Sequence, residues 1–264
     1  MFYPAYFTTI GDFQLKSLIV PLLQLIMFGM GTAMSIKDFL GVVKMPRGVL
    51  VGLACQFSIM PLLGFSIAQL FGFEPEIAAG IVLIGSSPSG LASNVMAYLA
   101  KANLALSVTL TAVATLLAPL MTPLLMKLFA GQFVPIDFWT MMLSITKIVI
   151  FPIIAGLIFN RIFHGKTQWF DKAMPLVSMA GIALIITIIT AAGRDSLLSI
   201  GLFLILAAII HNAAGYFLGY WGGRLFKMNE KDCRTIALEV GMQNGGLASG
   251  IALEMGKVAT IGLA

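Results

Sequence analysis

Apolar residues in this chain run in long stretches, separated by short polar and charged connections. Eight such segments lie near 17–34, 47–72, 76–100, 103–128, 137–160, 173–193, 196–222 and 235–264. Each is close to the ~20 residues that a helix needs to cross a hydrocarbon core. Barrel strands would alternate apolar with polar positions, and these runs do not. The pattern predicts an all-α integral membrane protein, multi-pass, in which backbone hydrogen bonds close within each span. Connections are short, no longer than Arg161 to Lys172, so no soluble domain is inserted.

Composition points the same way. Residues AVILMFWYC make up 59% of the 264 residues, and only 10% are charged, against roughly 25% charged in a soluble domain. That excludes an ordinary soluble globule, a disordered tail and a disulfide scaffold. Two cysteines, Cys55 in an apolar run and Cys233 in a charged loop, give no sign of a disulfide or metal site. The net charge of +5 reflects loop topology rather than nucleic-acid binding. Eleven basic residues fall on one side: Lys37, Lys44, Arg47, Lys101, Arg161, Lys166, Lys172, Arg224, Lys227, Lys231 and Arg234. Four fall on the other, Lys16, Lys127, Arg194 and Lys257, together with Glu74 and Glu76. The richer side is expected to be cytoplasmic, with Met1 opposite. Met1 to Lys16 lacks the basic start of a signal peptide. The inner (plasma) membrane is the expected location.

Two stretches are alike. Residues 85–101 read GSSPSGLASNVMAYLAK and 241–257 read GMQNGGLASGIALEMGK, identical at six of 17 positions with an offset of 156. The same offset places Gln56 on Asn212, Glu74 on Glu230, Glu76 on Asp232, and segment 17–34 on 173–190. The related segments are five spans apart, and an odd number reverses orientation. The expectation is an inverted repeat, as in secondary transporters; the alternative is chance similarity among small-residue helices. The offset carries segment 137–160 to positions before Met1, and 103–128 to 259–284, past Ala264. The repeat thus predicts ten helices, of which the first is absent here and the last at most begun.

Chemistry concentrates within two spans. Ser86-Ser87-Pro88-Ser89-Gly90 interrupts segment 76–100, and Gly241, Gln243-Asn244, Gly245 and Gly246 interrupt segment 235–264. Proline removes a backbone donor and glycine tolerates unwinding. Both segments are expected to be helices broken near the midplane, exposing carbonyls suited to Na⁺ and N–H groups suited to an anion. The alternative is a pair of kinked packing helices. Glu239 is the one carboxylate placed deep in a span, where an uncompensated charge costs roughly 2.5–3.5 kcal/mol. A bound cation, protonation, or a solvated position near Arg234 would each account for it. Gln56 could ligate a cation or bond a neighbouring helix. Ser107 and Thr111 share one helix face, although such hydroxyls often bond their own backbone. His211, beside Asn212, fits a neutral packed imidazole or a proton relay. Lys147 snorkels or faces a polar interior. No nucleotide loop, zinc spacing or nucleophile elbow is present.

With Pro88-Ser89-Gly90-Leu91-Ala92-Ser93-Asn94 and Glu239-Val240-Gly241-Met242-Gln243-Asn244, the chain resembles the bile acid:sodium symporter family. Phe28-Gly29-Met30-Gly31 and Gln56-Phe57-Ser58-Ile59-Met60-Pro61 also look like its signatures. The resemblance implies two inverted five-helix repeats, with a panel domain moving against a core that carries two crossing broken helices. Panel helices would lie in 17–46 and 137–193, and core helices in 47–130 and 196–264. It implies cotransport of organic anions with two Na⁺: bile acids in animals, smaller acids such as pyruvate or pantoate in plants and bacteria. One Na⁺ site would use Ser93, Asn94, Ser107, Thr111 and Glu239. The other would use Gln56, Glu239, Val240, Met242 and Gln243, with carbonyls at Val240 and Met242. Substrate would sit near Asn94, Asn244 and Gly245. The expected function is a sodium-coupled organic-anion symporter working by alternating access, not an enzyme, whose partners are the small anion and the lipid bilayer; the sequence leaves oligomeric state open. Two alternatives stand beside it: a proton-coupled anion carrier using Glu239, and a non-transporting membrane binding or interaction protein, because the family's first and last helices lack counterparts here.

Overall fold

The computed structural model describes residues 4–163, 168–257, 260 and 262. Helix α1 spans Ile19–Ala33, followed by two one-turn helices, α2 (Ile36–Phe39) and α3 (Gly41–Lys44). Then come α4 (Pro46–Phe71), α5 (Pro75–Ser86), α6 (Leu91–Leu99) and α7 (Leu104–Leu125). The second half holds α8 (Phe138–Ile145), α9 (Phe151–Phe163), α10 (Gln168–Ala192), α11 (Arg194–Leu225), α12 (Glu230–Gly241) and α13 (Gly245–Glu254). Ahead of α1, a 3-10 turn at Pro4–Phe7 leads to a two-stranded hairpin, β1 (Thr9–Ile10) against β2 (Phe13–Gln14).

Local sequence marks the helix ends. Pro46 and Pro75 open α4 and α5 in the first turn, where the missing N–H costs nothing. Asn103, Asp137, Asn229 and Asn244 each accept from the backbone N–H three residues on, capping α7, α8, α12 and α13. Gly72 closes α4 in the left-handed region at φ 62°. Wider π turns at Met126–Ala130 and Thr146–Ile150 extend α7 and join α8 to α9.

Predicted segments and helices agree closely, with two instructive differences. Segments 76–100 and 235–264 are each two helices, interrupted at 87–90 and 242–244. The last pair also starts five residues earlier than hydropathy implied, at Glu230, as does α10 at Gln168. Charged Glu230, Lys231, Asp232 and Arg234 read as loop, yet the Asn229 cap and two acidic residues in the first turn stabilise a helix start there. The end of that segment, including 258, 259, 261, 263 and 264, lies outside the described residues, as does Lys166 of the 161–172 connection.

Five helical stretches among the described residues are long and apolar enough to cross a membrane: Leu15–Ala33, Pro46–Phe71, Leu104–Ala130, Phe138–Phe163 and Arg194–Leu225. Pro75–Ser86 and Leu176–Ala192 are shorter apolar helices. Helix α1 packs on α9 and α10, α4 on α5 and α11, and α11 on α12. Close approach depends on small residues. A Cβ at Gly31 would strike the Ile153 backbone, and one at Gly156 would strike the backbone of α1 at Phe28 to Thr32. The largest apolar core joins α1, α5, α7, α8, α9, α10 and α13, with Ile19, Leu23, Met126, Ile145 and Ile153 fully buried. The outer surface remains apolar, with Leu50, Leu70, Leu202 and Phe217 exposed, as lipid contact requires. Exposed Trp139 and Trp169 lie near helix starts and Trp221 near a helix end, as in an interfacial aromatic belt. Lys147 is exposed. Cys55 and Cys233 are both free and buried.

Candidate functional site

The two interruptions meet. Ser89 pairs with Gln243 in an isolated antiparallel bridge, and Asn244 N–H donates to the Pro88 carbonyl at 2.9 Å. Two extended strands of three or four residues thus cross inside the helical body and satisfy part of each other's backbone. Close approach of α5 to α4 needs Gly85, where a Cβ would lie 2.5 Å from the Met60 carbonyl oxygen. Other exposed backbone ends take side-chain partners. Gln56 Nε2 on α4 donates to the Ser87 carbonyl at 3.0 Å, and Asn212 Nδ2 on α11 donates to the Gly241 carbonyl at 2.7 Å.

Glu239, 2% exposed, stands at the crossing in the penultimate position but one of α12. Four hydroxyls surround its carboxylate. Ser93 and Ser107 donate to Oε1 at 2.7 and 2.6 Å, and Ser89 and Thr111 donate to Oε2 at 2.5 and 2.9 Å. Hydrogen bonds to a charged group contribute about 1.5–3 kcal/mol each, which offsets part of the cost of burying the carboxylate. Asn94 Oδ1 accepts from the same Ser107 and Thr111 hydroxyls, at 2.8 and 3.1 Å, and Ser93 also reaches the Gly90 carbonyl at 2.8 Å. Ser93, Ser107 and Thr111 therefore each lie between two acceptors but carry one proton apiece. Oxygen lone pairs exceed protons in this cluster, a surplus that suits a cation. Ser107 and Thr111 do not bond their own helix here, in contrast to Thr109 and Thr115, which donate to the backbone four residues earlier.

A second group of oxygens lies on the α4 side. Gln56 spends its amide protons on the Ser87 carbonyl and on Gln243 Oε1 at 2.8 Å. Gln243 Nε2 in turn donates to the Val240 carbonyl at 2.6 Å. Gln56 Oε1 is buried and receives no hydrogen bond. A buried acceptor without a donor is costly unless a cation meets it. A narrow void lined by Gln56, Ser89, Glu239, Gly52, Leu110 and Ala114 adjoins it. Carboxylate, hydroxyl, amide and carbonyl oxygens are the donors a hard cation takes. Among the described residues no group of three His, Cys, Asp or Glu side chains could hold a metal ion.

The residues expected at the first cation site are thus in mutual contact. Of the second set, Gln56, Gln243 and Val240 form a hydrogen-bonded chain, and Met242 is the first residue past the end of α12. Ser89 was not among the expected ligands, although it lies within the quoted motif; its hydroxyl was legible, but its direction was not. The residues expected to hold substrate are divided. Asn94 faces the hydroxyl cluster, and Asn244 Oδ1 caps α13 by accepting from Leu247 N at 3.0 Å. Gly245 lines a cavity of about 190 Å³ together with Gln243, Asn212, His211, Met60 and Ile84. His211 is buried there, its Nε2 3.0 Å from the Met60 carbonyl.

An apolar helical body with two interrupted helices crossing at a buried carboxylate defines a membrane transport protein. Residues 20–200 match the Sodium Bile acid symporter family, and the chain belongs to that family. It is 42% identical over 250 residues, 95% of this chain, to a Bacillus subtilis protein described as uncharacterized sodium-dependent transporter YocS. It is 36% identical over 255 residues to the human ileal sodium/bile acid cotransporter. It is 33% identical over 232 residues to the probable sodium/metabolite cotransporter BASS1, chloroplastic, of Arabidopsis thaliana. The chain spans 76%, 71% and 58% of the lengths of these three relatives. They are transporters and not enzymes.

Proposed function

We propose that this chain is a plasma-membrane symporter that couples two Na⁺ to the movement of an organic anion by alternating access. The observation that carries the reading is the pairing of an acceptor-rich hydroxyl cage around Glu239 with the donorless Gln56 Oε1. One Na⁺ takes Ser93, Asn94, Ser107, Thr111 and Glu239; the other takes Gln56, Glu239, Gln243 and the carbonyls of Val240 and Met242. When Na⁺ arrives, the hydroxyls direct their oxygen lone pairs at the ion beside the Glu239 carboxylate. That tightens α6, α7 and α12 on one another and orders the crossing. Substrate carboxylate then meets the N–H ends of α6 and α13, near Asn94, Asn244 and Gly245, where the helix dipole favours negative charge.

The inverted repeat draws support from reciprocal contacts. Pro88 and Asn244, which bond each other, are related by the sequence offset itself. Gln56 and Asn212, also so related, each hold a carbonyl at the end of the broken helix in their own half. Asp232 accepts from Asn103 at 2.7 Å in the other half, as Glu76 accepts from Thr260 at 2.5 Å. Left-handed residues end α4 and α11 at Gly72 and Lys227, and end α6 and α13 at Lys101 and Gly256. Helices α1 and α8 to α10 form the panel, and α4 to α7 with α11 to α13 form the core.

Thermal unfolding of the purified protein in detergent, with NaCl exchanged for KCl at fixed ionic strength, tests the reading. A ligand that binds only the folded state raises its stability by mass action. Saturable, Na⁺-specific stabilisation lost in Glu239→Ala is expected, followed by Na⁺-driven anion uptake in liposomes. Uptake that follows pH and ignores Na⁺ selects proton coupling through Glu239 instead. Na⁺ binding with no flux for any carboxylate selects a binding protein.

A further inference from the structure

Ser89 stands apart from the other three hydroxyls around Glu239. Ser93, Ser107 and Thr111 each reach a second acceptor, whereas among the described residues Ser89 Oγ bonds only Glu239 Oε2. The residue is 1% exposed. It comes from the extended crossing strand, not from a helix, and its backbone is fixed against Gln243. The residue lines the narrow void on the α4 side, as do Gln56 and Glu239. The donorless Gln56 Oε1 belongs to that same group. Three oxygen-bearing residues therefore line one narrow buried gap: Glu239 with its carboxylate, Gln56 with its amide, and Ser89, whose hydroxyl accepts no hydrogen bond among the described residues.

We propose that Ser89 is an additional cation ligand on the Gln56 side of the crossing, and that through Glu239 it links the two Na⁺ positions. The inference rests on the symport reading above. Its proton goes to Glu239 Oε2, so its lone pairs face away from that carboxylate oxygen. The bridge to Gln243 already holds the strand, and a cation beside Gln56 Oε1 receives those lone pairs once the lining side chains part to admit it. Polarised by the ion, the Ser89 hydroxyl donates more strongly to Oε2 and fixes the carboxylate in the orientation that leaves Oε1 facing Ser93 and Ser107, where the other cation binds. Occupation of one position thereby favours the other. Glu239 is the group shared by both sets, and Ser89 is the hydroxyl that ties the Gln56 side to its Oε2.

The test compares wild type, Ser89→Ala and Ser89→Cys as full chains in detergent, following melting temperature against NaCl at constant total salt with KCl. Alanine deletes the oxygen; cysteine keeps the size and a weak donor but offers a soft sulfur that a hard cation rejects. The expected result is a Na⁺ midpoint raised about tenfold in both variants, in the range seen when groups supporting a metal site are removed. The wild-type curve should be steeper than hyperbolic and both variant curves shallower. A midpoint and steepness equal to wild type in either folded variant overturns the inference, whatever happens to the melting temperature in KCl, because a merely structural serine changes only the latter. A wild type that responds equally to NaCl and KCl overturns the symport reading itself, and the Ser89 inference with it.

Discussion

Thr111 and Thr115 sit one turn apart on α7, both fully or almost fully buried, and do different things. Thr115 returns its proton to the Thr111 carbonyl at 2.7 Å, while Thr111 aims at Glu239 and Asn94. Thr111→Val keeps the shape and removes a cage oxygen, so the Na⁺ midpoint of thermal stabilisation should rise about tenfold. Thr115→Val should leave it within about twofold, since a self-satisfied hydroxyl contributes little net energy. Gln56 offers a sharper case. Gln56→Leu removes both the donorless oxygen and the bonds to Ser87 and Gln243. Na⁺-specific stabilisation should be largely lost, although one buried unsatisfied acceptor disappears with it. Melting in KCl separates the two effects. Glu239 and its neighbours were all legible as residue types at suggestive spacings. The direction of each hydroxyl was not, because a serine or threonine in a helix can bond its own backbone as readily as a neighbouring side chain.

At the scale of elements, the start of α12 is clamped to the start of α7. Asn103 Nδ2 donates to Asp232 Oδ1 at 2.7 Å, Asn229 Nδ2 to Asp232 Oδ2 at 2.6 Å, and Asn103 N–H to Thr235 Oγ1 at 2.9 Å. Asp232→Ala and Asn103→Ala should each cost about 2 kcal/mol of stability, as loss of a hydrogen bond to a charged group does. The double variant should cost less than the sum, because both remove the same contact; unfolding curves in detergent measure this. One turn away, Tyr220 O–H and Arg234 hold Glu230 below the ordinary carboxylate pKa of 4.5. A lowered folded-state pKa adds stability that is present above 4.5 and is lost as pH falls through the folded value. Glu230→Gln should therefore narrow the difference in melting temperature between neutral pH and pH below 4.5. Hydropathy placed this helix start too late for the same reason the clamp exists: its first turn is charged, and the compensating partners lie in another helix.

For the whole molecule, the reading requires α1 and α8 to α10 to move against the remaining helices. Leu23 on α1 is fully buried, and a side chain at Gly250 on α13 would press directly into it. A disulfide between Leu23→Cys and Gly250→Cys joins the two bodies. Oxidation should abolish Na⁺-driven uptake and leave Na⁺-dependent thermal stabilisation in place, and reduction should restore uptake. Native Cys55 and Cys233 are buried and should not interfere. Uptake unaffected by complete cross-linking would rule out this division into moving bodies.

Hydrophobic run length, charge spacing and the prolines and glycines inside two spans were enough to specify a helical membrane protein, to place the helices within about five residues, and to single out two interrupted spans and one deep carboxylate. Those properties are local: a span must satisfy its backbone internally and be about 20 residues long wherever it packs. Which oxygens converge on Glu239 is not local. Ser89, Ser93, Ser107 and Thr111 come from three separate elements that lie more than 120 residues from Glu239 along the chain. Only the crossing of the two breaks brings them within hydrogen-bond distance. That crossing also left Gln56 Oε1 without a donor, which no pattern of residue types can express, since an amide reads the same whether or not its oxygen finds a proton.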